Sequence, residues 1–193
     1  MTTPKSGAAP VPLLFGFRGI RWLQAVVAIA AGALAIAGVL TLKAYIDDRA
    51  GLLLMLTVVY AVLFLWLFGM ALRLPTSFVA ISPERMRIRF GGFTDSLLET
   101  REVAGARLVN WSWWKGLGVR TGFGGDVALV AAWGPAVELT LKQPIRVWLI
   151  PRLWRVRATR VTLSVRNPQK MVERFGPATA QPTPTATGKR KRR

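Results

Sequence analysis

The chain contains no cysteine and no histidine, and only nine of its 193 residues are acidic. Without cysteine there are no disulfide scaffolds, thiol nucleophiles or thiolate metal sites. Without histidine, the commonest general base and the commonest transition-metal ligand are missing. Zinc would have to rely on scattered carboxylates. The composition points away from hydrolase and metalloenzyme chemistry and toward binding, with no cofactor implied. What is abundant is positive charge: 27 Lys and Arg give a formal net charge of +18.

Two charge-free apolar stretches, Trp22 to Leu42 and Ala50 to Leu72, are separated by the connector Lys43 to Arg49. A hydrocarbon core of about 30 Å needs roughly 20 apolar helical residues, so each stretch is long enough to cross. The short connector leaves room only for a tight hairpin of two spanning helices. Neither stretch carries an ionisable residue in its interior, which argues against transport. Lys5, Arg18 and Arg21 precede the first span, and Arg73, Arg85, Arg87 and Arg89 follow the second; the connector is neutral by count. Lys and Arg collect on the cytoplasmic side, so both termini are expected there. Trp22 and Tyr45 are expected near opposite interfaces. Ala28/Gly32, Ala31/Ala35 and Ala33/Ala37 are small pairs that let a second helix approach closely. The rival is a signal peptide cleaved near Ala35-Ile36-Ala37, but the run before that site exceeds the roughly 7 to 15 residues of such a segment.

From Thr76 the period changes to two. Arg85 to Phe90 alternates, with Met86, Ile88 and Phe90 on one face and three arginines on the other. Phe78 to Ser82 precedes it across the turn Ser82-Pro83-Glu84, and Gly91-Gly92 starts a hairpin into Asp95 to Thr100. Arg107 to Trp113 is a further strand. Val127 to Trp133 and Val137 to Leu141 flank Gly134-Pro135, which reads as a hairpin turn. Arg157 to Val165 alternates again. Asn167-Pro168 starts a helix, with Asn as cap and Pro in the first position. Met171, Val172 and Phe175 share one face of it, and Gly176-Pro177 stops it. The expected fold is an α-helical membrane hairpin plus a small antiparallel β-sandwich or barrel of about seven strands with one C-terminal helix. The segments read as 1–21 N-terminal, 22–42 and 50–72 spanning, 43–49 loop, 76–175 β domain and 176–193 tail.

Residues 76–175 resemble the bacterial pleckstrin-homology-like (PH-like) domain often found behind two membrane spans. The resemblance rests on Phe78-Val-Ala-Ile-Ser-Pro-Glu-Arg-Met-Arg-Ile88, Trp114-Lys-Gly-Leu-Gly-Val-Arg120 and Val161-Thr-Leu-Ser-Val-Arg-Asn-Pro-Gln169. It implies a non-catalytic binding or scaffolding module at the inner membrane of a bacterium. Lipid-binding eukaryotic relatives of this family cradle inositol phosphates at the loop joining their first two strands. Here that loop reads as Ser82-Pro83-Glu84, which contains an acid and forms no cup.

Residues 73–193 hold 22 of the 27 Lys and Arg but seven of the nine acids, and so carry +15 of the +18. Such a balance implies an acidic partner. An anionic lipid surface beside two spans is already within a Debye length. Pro144 to Arg157 interleaves Arg146, Arg152, Arg155 and Arg157 with Trp148 and Trp154. This is the chemistry of a headgroup-level surface, and the segment is expected to dock on the inner leaflet; the competing reading is a long hairpin whose tryptophans pack into the core. Trp111, Trp113, Trp114 and Lys115 form a second aromatic cluster, divided between the core and an interfacial belt or partner site. Gly116 to Gly125 lacks the spacing of a phosphate-binding loop and reads as turn chemistry, with anion binding through Arg120 as the alternative.

The Arg85, Arg87 and Arg89 stripe reads as a solvated strand face. Asp47 and Asp48 read as a polar loop tip. The tail ending Lys189-Arg-Lys-Arg-Arg193 has the composition of a disordered segment that binds anions non-specifically. The expected partners are the anionic membrane surface, with a protein partner or a second copy of the chain as further options. The alternative is a membrane-tethered, non-specific nucleic-acid binder, for which no sequence-reading motif is present. An enzyme using Asp95, Glu99 or Glu102 lacks an arrangement that would activate a carboxylate.

Overall fold

Apolar runs free of proline make long helices, and here they make two. In the computed structural model, which describes residues 12–122, 124–150 and 154–177, α1 spans Ile20–Asp48 and α2 spans Gly51–Arg73. At 1.5 Å per residue these are about 43 and 34 Å long, and both are long and apolar enough to cross a membrane. Nothing in Lys43 to Asp48 breaks a helix, so the expected loop shrinks to Arg49 and Ala50. Arg49 closes α1 in the left-handed conformation (φ 54°) and donates its N–H to the Tyr45 carbonyl at 2.8 Å. Pro75 lies just beyond α2, in the 3-10 turn Leu74–Thr76.

The helices run antiparallel in contact. A Cβ on Gly38 would lie 3.5 Å from Tyr60 Cβ, and the Thr41 and Thr57 hydroxyls are 3.0 Å apart. Of the expected small pairs, Ala31 is buried and Ala35 half-buried, whereas Ala28, Gly32 and Ala33 are exposed. The first turns of α1 lean on the β domain through Ile20, Leu23 and Val27.

The first strand, β1 (Leu13–Gly16), precedes the helices, in a segment read from sequence as a plain N-terminal extension. It pairs with β2 (Phe78–Ile81), which pairs with β3 (Arg85–Phe90), which pairs with β4 (Thr94–Glu99), all antiparallel. The helix pair is therefore an insertion between the first two strands, and Ser82-Pro83-Glu84 joins the second strand to the third. Phe15 and Phe17 are buried, and Phe17 meets Phe90 edge-on at 4.9 Å between ring centroids. The β domain thus begins at about residue 13 and not at 76.

The second sheet holds β5 (Val103–Trp111), β6 (Gly118–Thr121), β7 (Asp126–Val130), β8 (Gly134–Ile150) and β9 (Trp154–Leu163) in the order β5-β8-β9-β7-β6. Gly134-Pro135 is not a hairpin turn, because β9 lies between β7 and β8 and runs parallel to β7. Val127 to Val130 are buried, as befits a strand with neighbours on both sides. The chain crosses the end of β9, where the Ala131 N–H donates to Ser164 Oγ at 2.8 Å. Trp113 leaves the strand and sits in a 3-10 turn, Trp113–Lys115, so it does not share a strand face with Trp111.

The last helix, α3, spans Pro168–Phe175. Its proline occupies the first turn as expected, but Asn167 makes no side-chain capping bond. Met171 is buried, Val172 and Phe175 pack on the core, and the Gly176 carbonyl accepts the Ala106 N–H at 3.0 Å. One core joins the inner faces of both sheets, from Val79, Met86 and Ile88 to Leu139, Val161 and Leu163.

Candidate functional site

The domain has two ends, fixed by where the helices attach. At the helix end, the Arg18 N–H donates to the Ser164 carbonyl and its guanidinium to the Trp133 carbonyl. Leu74 packs beneath Gly91, and Arg73 lies over Gly92 in the β3–β4 turn. Trp111 pairs in register with Gly134, so the Trp113–Lys115 turn belongs to this end as well. The far end holds Ser82 to Arg85, the Glu99–Val103 segment and Leu141, with which Val103 pairs.

Five of the residues singled out in the sequence lie at the helix end. Trp113 and Trp114 are 73 % and 70 % exposed and stand edge to face, 6.4 Å between centroids. Lys115 Nζ lies 5.1 Å from the centre of the half-buried Trp111 ring, a cation–π distance. Trp111 donates its indole N–H to the Gly116 carbonyl at 2.9 Å, which holds the turn closed. Gly116 has φ 71°, and the Arg120 guanidinium folds back to within 2.5 Å of where its Cβ would stand. Glycine suits that positive φ, and Arg120 packs against the residue whose carbonyl holds Trp111.

Sequence reasoning missed three members of this group, Trp133, Arg18 and Arg73. Trp133 is 46 % exposed beside the Arg18 guanidinium, and Arg73 is exposed at the foot of α2. Trp133 was hidden in an apparent hairpin strand. Arg18 and Arg73 signalled topology and nothing more. Trp22, 56 % exposed in the first turn of α1, completes a belt of aromatic and cationic side chains around the helix attachment.

The second sequence-derived group goes elsewhere. β8 starts beside Arg18 at Gly134 and runs seventeen residues to Ile150, so its hairpin with β9 lies beyond the part of the strand nearest the helix attachment. Beyond Thr140 a register shift inserts extra residues around Pro144, after which pairing resumes at Ile145↔Ala158. Val147 and Ala158 are buried, and Ile145 and Val156 pack on the core. Arg146 and Arg157 stand opposite one another and are exposed; Arg155, also exposed, pairs in register with Trp148. The side chains of Trp148 and Trp154, and all of Arg152, lie outside the described residues. The Pro144–Arg157 segment and the Trp113–Lys115 cluster therefore stand on different parts of the domain, the cluster at the helix end and the arm beyond Leu141.

The middle arginine of the β3 stripe is paired with a carboxylate. Arg87 makes a two-pronged bond to Asp95, Nε to Oδ1 at 2.8 Å and Nη2 to Oδ2 at 2.7 Å. That hydrogen bonding, aided by the charges of Arg87 and Arg89 and opposed by partial burial, holds the Asp95 carboxyl below its usual range. Glu99 pairs with Arg101, and Glu102 accepts the Glu99 N–H at 3.2 Å. These three carboxylates are engaged in structure, and among the described residues no group of three or more potential metal ligands forms.

Compared with family models, with curated proteins and with solved structures, the chain matches none.

Proposed function

We propose that this is a non-catalytic membrane protein whose PH-like domain is seated on the anionic cytoplasmic leaflet by its helix-end belt. The single observation that carries the reading is the convergence of exposed Trp22, Trp113, Trp114 and Trp133 with Arg18, Arg73, Lys115 and Arg120 around the base of two apolar helices. Tryptophan prefers the headgroup level, and each cation near an anionic surface is worth about 1 kcal/mol. Helices apolar on every side, with Ile29, Ile36, Val39, Leu52 and Leu65 all exposed, suit an apolar solvent.

The domain assignment rests on strand order. Set aside the helix pair and the β6–β7 hairpin as insertions. What remains is a four-strand meander (β1 to β4), a three-strand meander (β5, β8, β9) and a closing helix, the seven-strand layout that the resemblance implies. In this reading the helices replace the loop where lipid-binding relatives hold a headgroup, so attachment to the leaflet takes the place of headgroup capture. The positive-inside distribution of Lys and Arg puts both termini and the domain on the cytoplasmic side.

The test uses the absence of cysteine. Single cysteines at position 113 and at position 101 each take one spin label in the full chain, reconstituted in anionic nanodiscs. The label at 113 is expected to be relaxed more by oxygen dissolved in lipid, and the label at 101 more by a water-soluble agent. Equal water exposure at both positions would defeat the reading.

A further inference from the structure

Leaflet seating leaves the β8–β9 arm unused. From 139 to 172 the sequence holds eight Lys and Arg and no acid. Within the arm, Arg146 and Arg157 occupy directly opposed positions on the exposed face, while the reverse face is anchored by buried Val147 and Ala158. Directly opposed residues have Cβ atoms on the order of 5 Å apart, and like charges there destabilise the pair. Three strand cations of this domain meet carboxylates: Arg107 with Glu138 at 2.7 Å, Arg160 with Asp126 at 2.8 Å, and Arg87 with Asp95. Arg146 and Arg157 have no ion-pair partner among the described residues. Such an arrangement is stabilised by an anion from outside.

Two features select that anion. Guanidinium forks match the geometry of phosphate oxygens and bind them in pairs. The arm lies beyond the part of β8 nearest the helix attachment, so the leaflet beneath the helices is not what it meets. The register sets three cations, Arg146, Arg155 and Arg157, on one face together with Trp148, and no acid stands between 139 and 172. Phosphate binding needs charge alone. We infer that the Arg146/Arg157 face of the arm binds the phosphate backbone of a nucleic acid. Because its apolar face is held on the core, the arm touches backbone and reads no bases, so binding is independent of sequence.

The experiment titrates the full chain in neutral detergent micelles with two short DNA duplexes of unrelated sequence, over a range of salt. Both duplexes are expected to bind equally. Replacing both residues, Arg146→Gln with Arg157→Gln, should flatten the slope of log K against log salt by about 1.8, at roughly 0.9 for each phosphate no longer neutralised. The same difference should persist in a chain ending at residue 188, which separates the arm from the terminal cations. Without DNA the double variant should melt no lower than the parent, since it relieves an opposed like-charge pair. A slope that the double variant leaves unchanged would overturn the proposal. So would duplex binding that disappears wholly with residues 189–193, or binding to polyglutamate but not to DNA.

Discussion

Gly19 is seated on Ala132 so closely that a Cβ at position 19 would lie 2.5 Å from the Ala132 Cβ and 2.8 Å from the Ala131 carbonyl oxygen. Gly19 has φ 74° and caps α1, so this contact fixes how the first helix leaves the β domain. Gly19→Ala is therefore expected to destabilise the protein. The left-handed conformation alone costs about 1–2 kcal/mol for a residue with a Cβ, before the clash is counted. Gly32→Ala, a helix position with nothing within 4 Å, is the control and should show no loss. Thermal melts of the full chain in one detergent compare them; equal melting temperatures would mean that the α1 entry is looser than this contact implies.

The sequence announces the two spanning helices by unbroken apolar length, and β3 and α3 by strong local periodicity. Arg85 to Phe90 alternates as expected, and Met86, Ile88 and Phe90 are buried. It does not announce β1, since four residues beside an apolar helix carry no period, and only pairing with Phe78–Ile81, far along the chain, makes them a strand. The interposition of β9 between β7 and β8 is equally silent: a Gly-Pro between two apolar runs looks the same whether or not a third strand enters later. The belt suffers from the same problem. Trp113, Trp114, Lys115 and Arg120 are near in sequence and legible there, the first three as an aromatic cluster and Arg120 in the glycine-rich segment, whereas Trp133, Arg18 and Arg73 join them through tertiary structure alone.

Ser164 secures the chain crossing over β9. It is fully buried, and its hydroxyl accepts the Ala131 N–H at 2.8 Å. Ser164→Ala strands a buried donor, which costs about 1–3 kcal/mol. Thr76→Ala removes an exposed hydroxyl bond to the Arg73 carbonyl and should stay within about 0.5 kcal/mol of the parent. Denaturant unfolding of both variants tests the difference, and similar midpoints would show that the Ala131 N–H finds another acceptor.

The Arg87–Asp95 pair gives a pH signature. The folded-state pKa of Asp95 is lowered, so its contribution is present above the unfolded value, near 3.9, and is lost as pH falls through the folded value. Both side chains are more than a third exposed, which screens the pair and limits it to about 0–1 kcal/mol. Asp95→Asn should lower the melting temperature slightly at neutral pH, and the gap should close once the solution is acidic enough to protonate Asp95 in the fold. A gap that stays constant through acid would assign the effect to packing instead of charge.

The helix pair should be held by few but identifiable contacts. Lipid chains are as apolar as the helix surfaces, so no hydrophobic drive favours helix over lipid, and close approach with interhelical hydrogen bonding decides. Here Gly38 lets α2 approach Tyr60, and Thr41 meets Thr57 at 3.0 Å while each hydroxyl also reaches a carbonyl of its own helix, Thr57 to Leu53 at 2.9 Å. Because those intrahelical acceptors survive separation, the interhelical bond is worth little: a Thr41→Val and Thr57→Val double-mutant cycle should return about 0.6 kcal/mol. Gly38→Leu should cost more, because its side chain must displace Tyr60 or force the helices apart. Unfolding of the reconstituted full chain in mixed micelles measures all of these. A coupling near zero together with a neutral Gly38→Leu would mean that the short Arg49-Ala50 turn and the β-domain attachment, not this contact, keep the helices together.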